Sequence, residues 1–314
     1  MIPLDAIQAA RSRIAGAAIR TPLLRLNLDE APAEIWLKLE NLQPIGSFKI
    51  RGAANAVGLA TPEQLARGVW TASAGNMAQG VAWMARQRGL PCTCVVPDHA
   101  PGAKLEAITR LGAAIIKVPF SEWWNILMTH RWSGLEGLFI HPVSDPGVIA
   151  GNGTVGLEIL EDLPDVDAVI VPYGGGGLST GIATAVKAQR PGVRVFAAEV
   201  ETAAPLAPSL AAGSPQAVTY QASFVDGIGS GSILAEMWPQ VSRLLDGSVV
   251  VSLRQVADAL KLLVERNRVL AEGAGATAVA AARTGRATGK VVAVVSGGNI
   301  DAAKVATILA GAIP

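Results

Sequence analysis

Charge is scarce in this chain. Of its 314 residues only 16% are charged, and 26 Lys and Arg nearly cancel 25 Asp and Glu, leaving a formal net charge of +1 at pH 7. Such a composition offers no basic field for a nucleic acid or an anionic membrane, so the expected partner is a small molecule. Cysteine is scarcer still: Cys92 and Cys94, both in PCTCVVP, stand two apart on an expected strand. Side chains so placed share a face and are badly set to bridge, and no C-x-x-C or nearby histidine offers redox or metal chemistry. Both read as small buried hydrophobes in a reducing compartment.

The three histidines, His99, His130 and His141, are too scattered in sequence to suggest a metal cluster or a triad. Aromatics are few, and the pair Trp123 and Trp124 reads as core or interface packing. No apolar run has membrane length: the longest uncharged stretch, residues 202–225, is broken by prolines, a glycine and polar residues. The opening MIPLDAIQAARSRIAG mixes acid and base and lacks the apolar centre of a signal peptide, so the expected location is cytoplasmic.

Half the residues are hydrophobic, and the length suits one large or two closely packed domains. From Gly68 the pattern alternates. GVWTA, CTCVVP, AIIKVP and LFIHPV read as strands, separated by the helical NMAQGVAWMARQRG, GAKLEAITRLG and SEWWNILMTHRW. A second series starts with a helix GNGTVGLEILEDL. It continues through DAVIVP, a glycine loop, STGIATAVKAQRPG and VRVFAAE, then a helix capped by Ser252 with Gln255 at the capping-box position, and ends in VVAVVSGGN. Strands alternating with helices predict an α/β fold with two open, mostly parallel twisted sheets flanked by helices. Residues 201–232, rich in Ala, Pro, Gly and Ser, are expected to be loop and short helix.

Glycine, with 34 residues, is plentiful and gathers where strands end. In VPYGGGGLSTGIATA an apolar strand runs into four glycines and then a helix, an arrangement that presents backbone N–H groups and a helix dipole to a phosphate. A dinucleotide would call for G-x-G-x-x-G. Here the third glycine is replaced by Ser179 or Thr180, depending on the starting point, although Glu199 at the end of the next strand stands where a ribose-binding acid would. A purely structural turn is the other reading. In TASAGNMAQG, residues Ser73, Gly75 and Asn76 mark a strand-to-helix junction that serves either as an ordinary cap or as a ligand site at the edge of a parallel sheet. VVAVVSGGN brings Ser296 to another strand tip. In GSFKIRG, Lys49 sits among small residues and beside Phe48, a setting for an amine kept near neutrality that can attack a carbonyl. Arg51 reads equally as a solvated cation or as a support for that loop.

Taken together, KLENLQPIGSFKIRGA, SAGNMAQG, GGGGL, EGAGA (272–276) and SGGN resemble, in order and over nearly the whole chain, the fold-type II (tryptophan synthase β-like) pyridoxal-phosphate enzymes. The resemblance is to the serine/threonine dehydratase and serine racemase family. It implies pyridoxal 5'-phosphate as cofactor and Lys49 as its covalent anchor, with Gly174, Gly175, Gly176, Gly177 and Leu178 around the phosphate. Phe48 would lie beside the ring, Asn76 at the phenolic oxygen, Ser296 at the ring nitrogen and Glu272 close by. Ser73, Ala74, Gly75, Asn76 and Met77 would bind an amino-acid substrate, with Ser73 joining Lys49 in the catalytic set. The implied reaction is β-elimination from a 3-hydroxy amino acid, L-threonine or L-serine, to a 2-oxo acid and ammonia, a catabolic lyase activity.

Three departures from the family pattern bear on this. Ala74 stands where the racemase has a second serine, which favours elimination over racemisation. Met77 replaces a histidine, which leaves room for an aryl-serine or hydroxyaspartate substrate. The family's divalent-cation site maps to Glu199, Ala203 and Pro205, and proline brings no carboxylate, so only Glu199 and Ala203 remain as candidate ligands and the metal is left open. The chain ends soon after SGGN, where regulated biosynthetic dehydratases continue, so isoleucine feedback is not expected. A β-replacement enzyme, a non-catalytic cofactor carrier or sensor, and a nicotinamide-dependent dehydrogenase are the alternatives. The resemblance further implies a homodimer and two domains: a large one of residues 1–61 and 144–314 with the lysine and phosphate loop, and a small one of residues 62–143 with the Asn76 loop.

Overall fold

In the computed structural model, residues 2–314 are described. Ten strands form two sheets, with strand order β1-β2-β10-β7-β8-β9 in one and β5-β4-β3-β6 in the other. The six-stranded sheet is built from β1 (Leu23–Arg25), β2 (Glu34–Leu39), β7 (Ala168–Pro172), β8 (Arg194–Val200), β9 (Ser248–Val251) and β10 (Lys290–Val295). The four-stranded sheet comprises β3 (Val69–Ala72), β4 (Cys92–Pro97), β5 (Ala114–Val118) and β6 (Leu138–Phe139). All pairings are parallel except that of β1 with β2. The central strands β7 and β10 read AVIVP and KVVAVV because both faces are covered by helices, which suits runs of β-branched residues rather than alternation.

The alternating pattern from Gly68 onward forms as expected, and the Ser252–Gln255 capping box caps the helix Leu253–Leu262. The helix expected from Gly151 instead starts at Pro146 and runs to Asp162. Asp145 caps it, accepting from the N–H of Gly147 and Val148, and proline fits the first turn, whose N–H groups have no intrahelical partner. Glycines allow it close contact with the helix Gly177–Gln189: a Cβ on its Gly153 would fall 2.9 Å from the Gly181 carbonyl oxygen, and one on Gly181 of the other helix would fall 2.5 Å from that of Ile149.

Arg51 is neither solvated nor idle. It is 1% exposed and bonds both oxygens of Glu40, at 2.8 Å each, and both of Glu158, at 2.6 and 2.9 Å. Lys38 joins Glu158 at 2.6 Å. Burial alone would lower the Arg51 pKa, but the two carboxylates more than offset it and hold the pKa above its ordinary value. This network locks the helix Lys49–Leu59 to the end of β2 and to the helix Pro146–Asp162, fixing the backbone that carries Lys49.

Candidate active site

Lys49 opens its helix, with Phe48 at the N-cap. The preceding loop is stitched to the end of β10: Ser47 bridges Gly297, the Phe48 N–H donates to the Ser296 carbonyl at 3.0 Å, and the Gly298 N–H donates to the Gly46 carbonyl at 2.9 Å. Gly46 has φ +73°, and a Cβ there would lie 2.5 Å from Asn299 Oδ1, so both conformation and space call for glycine. Asn299 in turn donates to the Ile45 carbonyl at 2.9 Å and to Asn76 Oδ1 at 2.7 Å. Sequence reasoning quoted Asn299 within SGGN without giving it a role. Its contacts tie the lysine loop, the Asn76 loop and the β10 tip together.

The amine of Lys49 donates to the Pro142 carbonyl at 2.6 Å and lies 5.2 Å from the centre of the Phe48 ring. Burial lowers its pKa to about 8, with Glu272 pulling the other way. Glu272 is itself pushed up to about 7 by burial, against the hydrogen bonds it accepts from Asn76 Nδ2 at 2.9 and 3.2 Å. Both groups are thus moved toward neutral pH from opposite sides, as functional sites often are.

Ser73, Ala74, Gly75 and Asn76 are half-buried at the start of the helix Asn76–Gln87. The Ser73 hydroxyl accepts from the Gly75 N–H at 3.2 Å, and no side chain caps that helix. Met77 departs from the expected substrate-facing position. It is 1% exposed and belongs to the apolar cluster that includes Ile45, Ile50 and Val81. Replacing a polar residue there extends the core, so Met77 gives no support for a bulkier substrate.

The glycine loop follows β7. Gly176 has φ +95°, a conformation open to glycine, and the helix Gly177–Gln189 starts with no side chain on its first N–H groups. Val143 packs directly against the loop: a Cβ on Gly175 would fall 2.5 Å from Val143 Cγ1, and one on Gly177 would fall 2.5 Å from the Val143 carbonyl oxygen. Pro142, which holds the lysine amine, is the adjacent residue, so the amine and the glycine loop both rest on the segment Pro142–Val143. Ser296, 3% exposed, ends β10. A desolvated amine beside an uncapped helix N-terminus fits a phosphate-bearing aldehyde, with the amine for the aldehyde and the N–H groups for the phosphate.

Two sequence expectations resolve differently. Glu199 is buried with its carboxylate engaged: it accepts from the N–H of Leu206 and Ala207, both at 2.8 Å, and from the Ser248 hydroxyl at 2.6 Å. With both oxygens so engaged it caps a short helix that Pro205 precedes rather than standing free for a ribose. Ala203 lies beside it, forming a bridge with Val200. His130 and His141, scattered in sequence, are in fact stacked, with ring centres 4.3 Å apart, because the helix Phe120–Thr129 and the segment after β6 converge.

A family model described as pyridoxal-phosphate dependent enzyme matches residues 14–297. The chain belongs to this family. An L-threonine ammonia-lyase of Thermotoga maritima is 41% identical over 96% of this chain and 76% of that protein. The catabolic L-threonine dehydratase TdcB of Escherichia coli is 38% identical over 98% and 96%. The structure of maize serine racemase superposes with a TM-score of 0.91 at 35% identity, covering 98% of this chain and 97% of that one. The fold is therefore that of the fold-type II pyridoxal-phosphate enzymes in their dehydratase and racemase branch, and the cofactor is pyridoxal 5'-phosphate. Among the described residues no helix is long and apolar enough to cross a membrane.

Proposed function

We propose that this protein removes water and then ammonia from L-threonine or L-serine, giving a 2-oxo acid. The observation that carries this reading is the desolvated amine of Lys49, bonded to a main-chain carbonyl rather than to a carboxylate and bordering the uncapped glycine loop. The likeness to threonine ammonia-lyases over nearly the full chain supports the choice of substrate.

The cofactor supplies an electron-withdrawing ring that acidifies the substrate Cα–H. The residues do the rest. Backbone N–H groups of Gly174 to Leu178 would hold the phosphate, Phe48 would pack beside the ring, and Asn76 and Ser296 would meet its polar edge. Ser73 to Asn76 take the substrate carboxylate at the start of their helix. The Lys49 amine, neutral in a large fraction of molecules near its lowered pKa, accepts the Cα proton, and the resulting ammonium stays on the Pro142 carbonyl. Glu272 orients Asn76 through its two hydrogen bonds. Ala74 has no acidic proton for the opposite face, which favours loss of the β-hydroxyl over reprotonation; the Cα proton taken up by Lys49 and the departing hydroxide together make up the water removed. The released enamine tautomerises and hydrolyses in water. In this reading the four-stranded sheet and its helices, residues 62–143, form a small domain that closes over the site, and the protein is a cytoplasmic homodimer.

The test is release of 2-oxo acid from L-threonine, L-serine and a 3-aryl-serine by the wild type and by Lys49→Ala. Product from threonine or serine that disappears in the variant is expected. A wild type that binds the cofactor yet releases no 2-oxo acid from any of the three contradicts the reading in favour of a carrier or sensor.

A further inference from the structure

The segment from His141 to Ser144 lies between β6 and the helix Pro146–Asp162, within no strand or helix, so no regular ladder sets its carbonyl directions. Yet it faces the site at three points. The Pro142 carbonyl accepts from the Lys49 amine at 2.6 Å, the Val143 side chain fills the space behind Gly175, and the Val143 carbonyl does the same behind Gly177. An imidazole holds this segment. His141, 2% exposed, accepts at Nδ1 from the N–H of Val143 at 3.2 Å and of Ser144 at 2.9 Å, with the Ser144 hydroxyl at 2.8 Å. A nitrogen that accepts main-chain N–H groups carries no proton, so Nε2 carries the hydrogen and donates to the Leu127 carbonyl at 3.2 Å. Burial, with His130 stacked on the ring, pushes His141 down to about 4 and keeps this neutral form at physiological pH. His130, His141 and Glu236 have ligand-type atoms within 4.8 Å of one another. Both ring nitrogens of His141 are already engaged, however, so positioning rather than metal binding is the chemistry they favour.

We propose that His141 is a positioning residue for the Lys49 amine: its unprotonated Nδ1 sets the turn that aims the Pro142 carbonyl at Nζ and seats Val143 behind the glycine loop. This rests on the reading of Lys49 as the reacting amine.

The decisive comparison is His141→Asn against His141→Gln, with His141→Leu alongside. Asparagine Oδ1 is attached to Cγ as Nδ1 is and keeps the acceptor for the two N–H groups, whereas glutamine places its amide one bond farther out. Two measurements apply: kcat and KM of the holoenzyme, and the pH midpoint for acetylation of Lys49 in the cofactor-free protein, followed by mass spectrometry. The charges facing Lys49 in that titration are Glu272 and, through His141, His130 and Glu236. Gln and Leu are expected to lower kcat by about tenfold or more with a much smaller change in KM, and to displace the Lys49 midpoint, while Asn recovers both. Gln and Leu variants that match the wild type in both measurements, or recovery by Gln but not Asn, would overturn the proposal. If His141→Leu does not fold, the Asn and Gln pair still decides. If Lys49→Ala turns over threonine like the wild type, the proposed reaction falls, and the acetylation midpoints, which need no turnover, still judge the role of His141.

Discussion

Replacing Lys49 with methionine should stabilise the cofactor-free protein. Burial moves the amine from an ordinary value near 10.5 to about 8, so the folded chain holds the Lys49 proton less tightly than the unfolded chain does. Between those two values the unfolded chain binds more protons, and stability therefore rises with pH through this window. Below it, the full cost of keeping a buried ammonium is present. At roughly 1.4 kcal/mol per pH unit, that cost is on the order of 3 kcal/mol at pH 7. Methionine is of similar length and removes it, but also removes the hydrogen bond to the Pro142 carbonyl, worth about 1 to 2 kcal/mol. Lys49→Met should thus gain about 1 to 2 kcal/mol at pH 7, and the gain should vanish or reverse near pH 10. Urea unfolding of both cofactor-free proteins at the two pH values measures this. A variant less stable than the wild type at pH 7, or a difference that does not change with pH, would refute the reasoning.

Other consequences follow from the packing. Gly175→Ala should weaken cofactor binding because the new methyl meets Val143, and adding Val143→Ala should restore part of the loss; equilibrium dialysis of the four proteins should give a coupling of about 1 kcal/mol or more. Arg51→Met leaves the buried Glu40 carboxylate without an ion-pair partner and Glu158 with Lys38 alone, and should cost about 3 to 5 kcal/mol in chemical denaturation, far more than an exposed ion pair. With threonine, the rate should rise with pH toward about 8 as the Lys49 amine loses its proton, and Glu272→Gln, which removes the nearby negative charge, should move that limb to lower pH; the kcat profile reads it.

The parts legible in the sequence are those where one residue type answers a local demand. The four glycines after β7, the Ser252 cap and the β-branched run of β10 each announce their own geometry. Lys49 stood out because a lysine between Phe48 and a small-residue loop is unusual in a chain so low in charge. What escaped depends on partners far apart in the chain. Arg51 looked uncommitted because Glu40 and Glu158 reach it only after folding. The convergence of His130 with His141, and of Asn299 with Gly46 and Asn76, has no local signature. The start of the helix at Pro146 was hidden by GNG, whose glycines serve helix contact rather than a turn. Met77 was assigned to the substrate because it stands where the family has a histidine, but the helix turns its side chain into the core.

The central claim is that Lys49 is the amine that binds the cofactor. The most direct test is borohydride reduction of the holoenzyme, followed by proteolysis and mass spectrometry. The account predicts a pyridoxyl-phosphate adduct on Lys49, lost when L-threonine is added before reduction. An adduct on another lysine, or none on a protein that retains its cofactor, would contradict it.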